Sequence, residues 1–114
     1  MSYTPERGDL IWLNFGSQEG HEQKSVRPAL VISPLQYNKK TGLAICCPVT
    51  TSIKGYPFEV LVSGKKINGA ILVDHLKNIE WRARKAKFIE KANSAVMAEC
   101  LGKISVLILQ GEGS

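Results

Sequence analysis

Apolar residues in this chain gather in short runs separated by glycine, proline and polar clusters, a spacing that favours strands over helices for most of its length. Gly8-Asp9 leads into Leu10, Ile11, Trp12, Leu13, Asn14 and Phe15, closed by Gly16, which predicts a first strand with Trp12 in the core. After Pro28, the run Ala29-Leu30-Val31-Ile32 stops at Ser33-Pro34, the pattern of a strand covered on both faces. Residues 35–40 predict a turn of helix, and Thr41-Gly42 reverses the chain into a third strand from Leu43 to Cys47, which Pro48 ends or marks as an edge. Further strands are expected at Pro57–Val62, Ala70–Val73 and Lys85–Ile89, separated by turns at Gly55, Gly64 and Asn68-Gly69.

The period then changes. From Ser94, a natural N-cap, Met97, Leu101, Ile104 and Ile108 recur at helical spacing with Cys100 and Leu107 beside them. Gly102 inside this segment costs about 1 kcal/mol relative to alanine, so packing must hold the helix. Gly111 is a natural stop, and Glu112 to Ser114 reads as a frayed tail. The fold class is mainly β with a C-terminal helix: a small, partly closed antiparallel barrel forming one domain over residues 1–114.

Composition narrows the setting. With 44% apolar and 22% charged residues in 114, the chain is an ordinary globular protein. It has no stretch approaching the roughly 20 apolar residues that span a bilayer, and Met1 to Arg7 carry no apolar signal core, so a cytoplasmic protein without a membrane role is expected. Cys46 and Cys47 are neighbours that a strand would point to opposite faces, and reduced thiols are expected. Together with Cys100, His21 and His75 they lack the paired spacing that holds a metal, so neither metal nor other cofactor is expected.

The formal net charge of +5 points to an anionic partner. Arg82, Arg84, Lys85, Lys87 and Lys91 face a single acid, Glu90, in one segment. Read as a strand, this is either a solvated edge that blocks aggregation or part of a surface for a polyanion. The stretch from Gly16 to Val26 is almost wholly polar and has nothing to bury.

Five segments in register carry a resemblance over nearly the whole chain: Gly8-Asp9-Leu10-Ile11-Trp12, Gly20-His21-Glu22-Gln23, Arg27-Pro28-Ala29, Pro48-Val49-Thr50-Thr51 and Gly55-Tyr56-Pro57. The chain resembles the MazF/PemK-type toxin endoribonucleases, and Trp81-Arg82-Ala83-Arg84 looks like the MazF branch. The resemblance implies an SH3-like or CcdB-like barrel, a homodimer, metal-independent cleavage of single-stranded RNA at a short, ACA-like motif, and silencing by a MazE-like acidic antitoxin.

The residues supply the chemistry independently. Cutting RNA without a metal requires help for the 2′-hydroxyl, stabilisation of charge on the phosphoryl oxygens, and a proton for the leaving 5′-oxygen. Arg27 suits the second role, because its guanidinium grips phosphate oxygens in a fork and keeps its charge. Pro28 also restricts its backbone to extended geometry. Glu22 is the candidate general base, with His21 its rival; the resemblance alone ranks Glu22 first. Thr50, at the position the family uses, can donate its hydroxyl to phosphate, with Thr51 and Ser52 better read as turn caps. The PemK-type branch gives an acid–base role to an aspartate at the position of Asp74, with an arginine two residues before it. Leu72 stands there instead, which favours base recognition or structure for Asp74. His75 and Lys77 follow it in the chain and can line the same groove, and RNA is expected to meet Lys54, Lys77, Arg84, Lys85 and Lys87, with Tyr56, Phe58 and Trp81 either stacking on bases or belonging to the core.

Two other functions compete. A CcdB-like gyrase poison shares the barrel but ends in Trp-Gly-Ile, which Gln110-Gly111-Glu112-Gly113-Ser114 does not match. A passive RNA binder would have no use for Glu22 beside Arg27.

Overall fold

The computed structural model describes residues 2–16 and 25–109. Its elements run β1 (Asp9–Asn14), β2 (Val26–Val31), α1 (Leu35–Thr41), β3 (Leu43–Thr50), β4 (Glu59–Ser63), β5 (Asn68–Leu72), β6 (Lys77–Glu80), β7 (Lys87–Lys91) and α2 (Ser94–Leu109). The strands form one antiparallel sheet in the order β4-β5-β3-β2-β1-β7, with β6 also paired to β3. The expected class, mainly β with a terminal helix, is the observed one.

Alternation along the central strands divides the core. Ile11, Leu13, Ala29, Val31 and Cys46 pack with Trp81, whereas Leu10, Leu30, Cys47 and Val49 pack with β4, β5 and Cys100 of α2. Cys46 and Cys47 thus serve opposite faces, and burial pushes each thiol up to about 12. Of the aromatic expectations, Trp12 as core is reversed, and Trp81 belongs to the core rather than to a surface for bases. Trp81 is only 4% exposed and donates its indole N–H to the Asn38 carbonyl at 3.0 Å, but Trp12 is 38% exposed. Trp12 lies between Pro28 on β2 and Lys87 on β7, and its side chain lines an open groove instead of the core.

Pro48 does not end β3. Ile32 N–H donates to the Ile45 carbonyl, so that opposed pair is hydrogen bonded and, by alternation, the pair Ala29–Pro48 is not. The proline nitrogen therefore faces the other side of β3, where β6 has ended its pairing at Cys46 and β5 begins at Val49. A missing N–H forfeits nothing in that gap.

Other boundaries shift for local reasons. The basic segment 81–85 is a turn, with Lys85 at φ 57°, and only Lys87–Lys91 is strand. Arg82 stacks on Trp81 at 4.6 Å, and Lys91 pairs with the buried Asp9 at 2.7 Å, which raises the lysine's pKa. Asn93, rather than Ser94, caps α2 by accepting the Val96 N–H at 2.9 Å. The helix seats Val96, Met97, Cys100 and Ile104 on the core and leaves Leu101 and Ile108 exposed, so its seam is narrower than the sequence pattern suggests.

The two ends of the sheet are bridged by one side chain. Glu90, on β7, accepts the N–H groups of Lys65, Lys66 and Ile67 at 3.0, 2.9 and 2.9 Å, and these residues form the turn between β4 and β5. The donated bonds, that of Lys66 foremost, hold its pKa below the usual carboxylate value. A Cβ at Gly64 would come within 2.5 Å of Glu90 Oε2, so glycine there leaves room for the carboxylate.

Candidate active site

A groove of about 700 Å³ opens where β1, β2 and β3 meet the β4–β5 turn. Its walls include Arg27, Thr50 and Lys77 together with Trp12, Phe15, Lys66 and Asn68. The β2–β3 ladder ends at Ala29↔Pro48, two residues short of both Arg27 and Thr50, and both side chains line the groove beyond it. The groove therefore gathers residues that α1 and most of two strands separate in the chain, and both sit near strand ends rather than on free loops.

Arg27 is exposed at the end of β2 next to Pro28, whose own position opposite Trp12 is fixed by the β1–β2 ladder. The Thr50 hydroxyl oxygen accepts the Ser52 N–H at 3.0 Å. That bond orients the oxygen and leaves the hydroxyl proton for another acceptor. Lys77 Nζ lies 5.6 Å from the centroid of the Phe15 ring, which holds a cation at the rim of the groove.

Thr50 depends on a glycine across the sheet. A Cβ on Gly69 would fall 2.3 Å from the Thr50 carbonyl oxygen, a backbone atom that cannot step aside alone. Asn68-Gly69 is not a turn here: both residues belong to β5, paired with Ser63 and Val62, and the reversal lies at Gly64–Ile67. Close approach, rather than turn geometry, requires the glycine. Gly69→Ala is expected to lower stability by about 1–3 kcal/mol, the usual range for overpacking, and to shift the backbone of Thr50. Thermal melting checks this; an unchanged melting temperature would overturn it.

The other residues named from the sequence lie elsewhere. Tyr56 donates its hydroxyl to Asp74 at 2.7 Å, which pushes the phenol up to about 12, and His75 lies 3.8 Å from the same carboxylate. This cluster adjoins the groove through Leu72, whose carbonyl accepts the His75 N–H. Lys54 N–H and Gly55 N–H are held by the Glu59 carboxylate. Arg84 donates to the Gly16 carbonyl at 2.7 Å, tying down the end of β1. Lys85 is in the turn after Trp81 and Lys87 stands opposite Trp12 on β7. Glu22 and His21 lie outside the described residues. Among the described residues, no group of three or more His, Cys, Asp or Glu side chains is placed to hold a metal ion.

Residues 6–108 match the family model described as PemK-like, MazF-like toxin of type II toxin-antitoxin system. The chain belongs to that family. This MazF-like toxin is 47% identical to the endoribonuclease toxin MazF of Escherichia coli K12 over 106 residues, covering 93% of the chain and 96% of the relative. The Escherichia coli endoribonuclease PemK is 29% identical, over 90% of the chain and 81% of the relative. A crystal structure of MazE-MazF from Deinococcus radiodurans superposes with a TM-score of 0.84 at 44% identity, covering 94% of this chain and 97% of that one.

Within this MazF-like toxin, the groove residues that sequence reading passes over are Trp12, Phe15, Lys66 and Asn68. For Lys66 a signal exists. Lys65-Lys66 sits between Gly64 and Asn68-Gly69, a basic pair at the tip of a hairpin. Nothing local says which surface that tip faces.

Proposed function

We propose that this chain, an endoribonuclease toxin of a type II toxin–antitoxin system, acts as one domain to cut single-stranded RNA at a short motif without a metal. In the proposed step, the 2′-oxygen bonds to the adjacent phosphorus as the bond to the 5′-oxygen breaks. The 2′-hydroxyl proton passes to a general base and a second proton reaches the departing 5′-oxygen, leaving a 2′,3′-cyclic phosphate and a 5′-hydroxyl. Arg27 bears the charge gathering on the phosphoryl oxygens, and Thr50 adds a hydroxyl donor. Glu22, with His21 as alternative, exchanges the protons.

The observation that carries this reading is the convergence of Arg27 and Thr50 in one groove with Lys66 and Lys77. Trp12 and Phe15 offer flat faces for unstacked bases in the same groove. Tyr56, Asp74 and His75 extend the surface beyond Leu72, where the strand's neighbouring bases would pass.

An ACA-like triplet is the proposed cleavage motif and arrest of translation the proposed outcome, with the cytoplasm as the site of action. The Deinococcus radiodurans relative was crystallised as MazE-MazF, which supports a MazE-like antitoxin for this chain. An acidic segment of that partner would suit the basic groove. The exposed Leu101, Leu107 and Ile108 of α2 support a homodimer that covers them.

A mixed single-stranded RNA incubated with excess chelator tests the chemistry. Cleavage should persist, with cyclic phosphate and 5′-hydroxyl ends. A strict need for added metal, or 5′-phosphate ends, would overturn the proposed step.

A further inference from the structure

The carboxylate of Glu90 has no part in the chemistry above, yet it receives three consecutive backbone N–H groups from the β4–β5 turn. Charge-assisted bonds of this kind are the strong ones, and several on one carboxylate fix the backbone that donates them. The residues so fixed lead straight into the groove: Lys66, Ile67 and Asn68 line its wall. Within the segment 82–91, otherwise rich in cations, Glu90 is the single acid, and it is spent on this turn.

We infer that Lys66 contacts a phosphate of the bound strand and that Glu90 is the positioning residue that aims it. The inference rests on the groove being the RNA site. Lys66 is exposed and on a hairpin tip, where a lysine free to sample many backbone states would bind phosphate poorly. The latch removes that freedom at the backbone, one residue to each side of the lysine. It also bridges the two ends of the sheet, so the wall carrying Lys66 keeps its distance from the wall carrying Arg27 and Thr50.

A salt titration of binding tests this. The probe is a mixed-sequence single-stranded oligonucleotide with a 2′-O-methyl group on every ribose, which cannot supply the attacking hydroxyl. Lys66→Ala should weaken binding about three- to tenfold at low salt and reduce the salt slope by about 0.7, the value for one phosphate contact on a single strand. Glu90→Gln should act in the same direction, and the double variant should bind no worse than Lys66→Ala alone.

The sign is diagnostic. Glu90→Gln makes the protein more positive, so simple electrostatics would tighten RNA binding, whereas loss of the latch weakens it. Faster amide exchange at Lys65, Lys66 and Ile67 in Glu90→Gln should accompany the weakening. Tighter or unchanged binding by Glu90→Gln, or an unaltered salt slope in Lys66→Ala, overturns the inference while leaving the groove reading intact. If the wild-type chain neither binds the oligonucleotide nor cuts RNA, the groove reading falls with it.

Discussion

Arg27→Ala is expected to lower kcat for single-stranded RNA by about 10²–10³-fold, the loss seen when one donor to a developing oxyanion is removed. The reason is geometric as well as electrostatic. In the proposed step negative charge accumulates on non-bridging oxygens, and a guanidinium can donate two parallel bonds to them. Arg27 and Thr50 line one groove from the ends of β2 and β3, so the two donors approach the phosphate from adjoining strands. Arg27→Lys should recover little of the loss, because an ammonium keeps the charge without the fork. KM should change less than kcat, since the interaction strengthens as the charge develops. Single-turnover cleavage of a saturating RNA measures this directly. Equal loss in KM alone, with kcat intact, would make Arg27 a binding residue and remove it from the centre of the mechanism.

The second large effect concerns stability, far from the groove. Asn38 is wholly buried on α1, and its side-chain amide donates to the carbonyls of Pro5 at 2.8 Å and Ser33 at 3.1 Å. Its side-chain oxygen accepts the Ser33 hydroxyl, and that hydroxyl oxygen in turn accepts the Ile45 N–H at 2.8 Å. One residue thereby ties the N-terminal segment, the turn before α1 and β3. Asn38→Leu keeps the branched four-atom shape but strands the Pro5 carbonyl and the Ser33 hydroxyl in the interior. Each unsatisfied buried group costs about 1–3 kcal/mol, so a loss of about 3–5 kcal/mol is expected. For a chain of this size that lowers Tm by about 10–20 °C. Calorimetry of the purified variant checks it, and a fall of under about 1 kcal/mol would show that water or relaxation satisfies these groups.

What the sequence conveyed and what it withheld divide along one physical line. Runs such as Leu10–Leu13 and Ala29–Ile32 declare strands locally, because apolar content and β-branching act residue by residue. The Cys46-Cys47 pair declares its alternation in the same way. Arg27, Thr50 and Lys77 could be named from residue type and motif, and they meet in one groove. β6 was missed because Lys77-Asn78-Ile79-Glu80 has a single apolar residue and owes its strand to the edge of β3. Trp12 was assigned to the core on side-chain type, but its exposure depends on where β2 and β7 place Pro28 and Lys87. Gly69 looked like half of an Asn-Gly turn, whereas the constraint comes from Thr50 on another strand. In each case the deciding neighbour is distant in the chain, and no window of sequence contains it.

The tie between Arg84 and Gly16 bears on where the chain leaves the barrel after β1. The base of the segment 17–24 is fastened by Arg84 to the Gly16 carbonyl, by Asn14 N–H to the Arg84 carbonyl, and by Phe15 N–H to the Ser25 carbonyl. The points where the chain leaves and re-enters the barrel around His21 and Glu22 are thereby set by the turn between β6 and β7, a part of the sequence some sixty residues away.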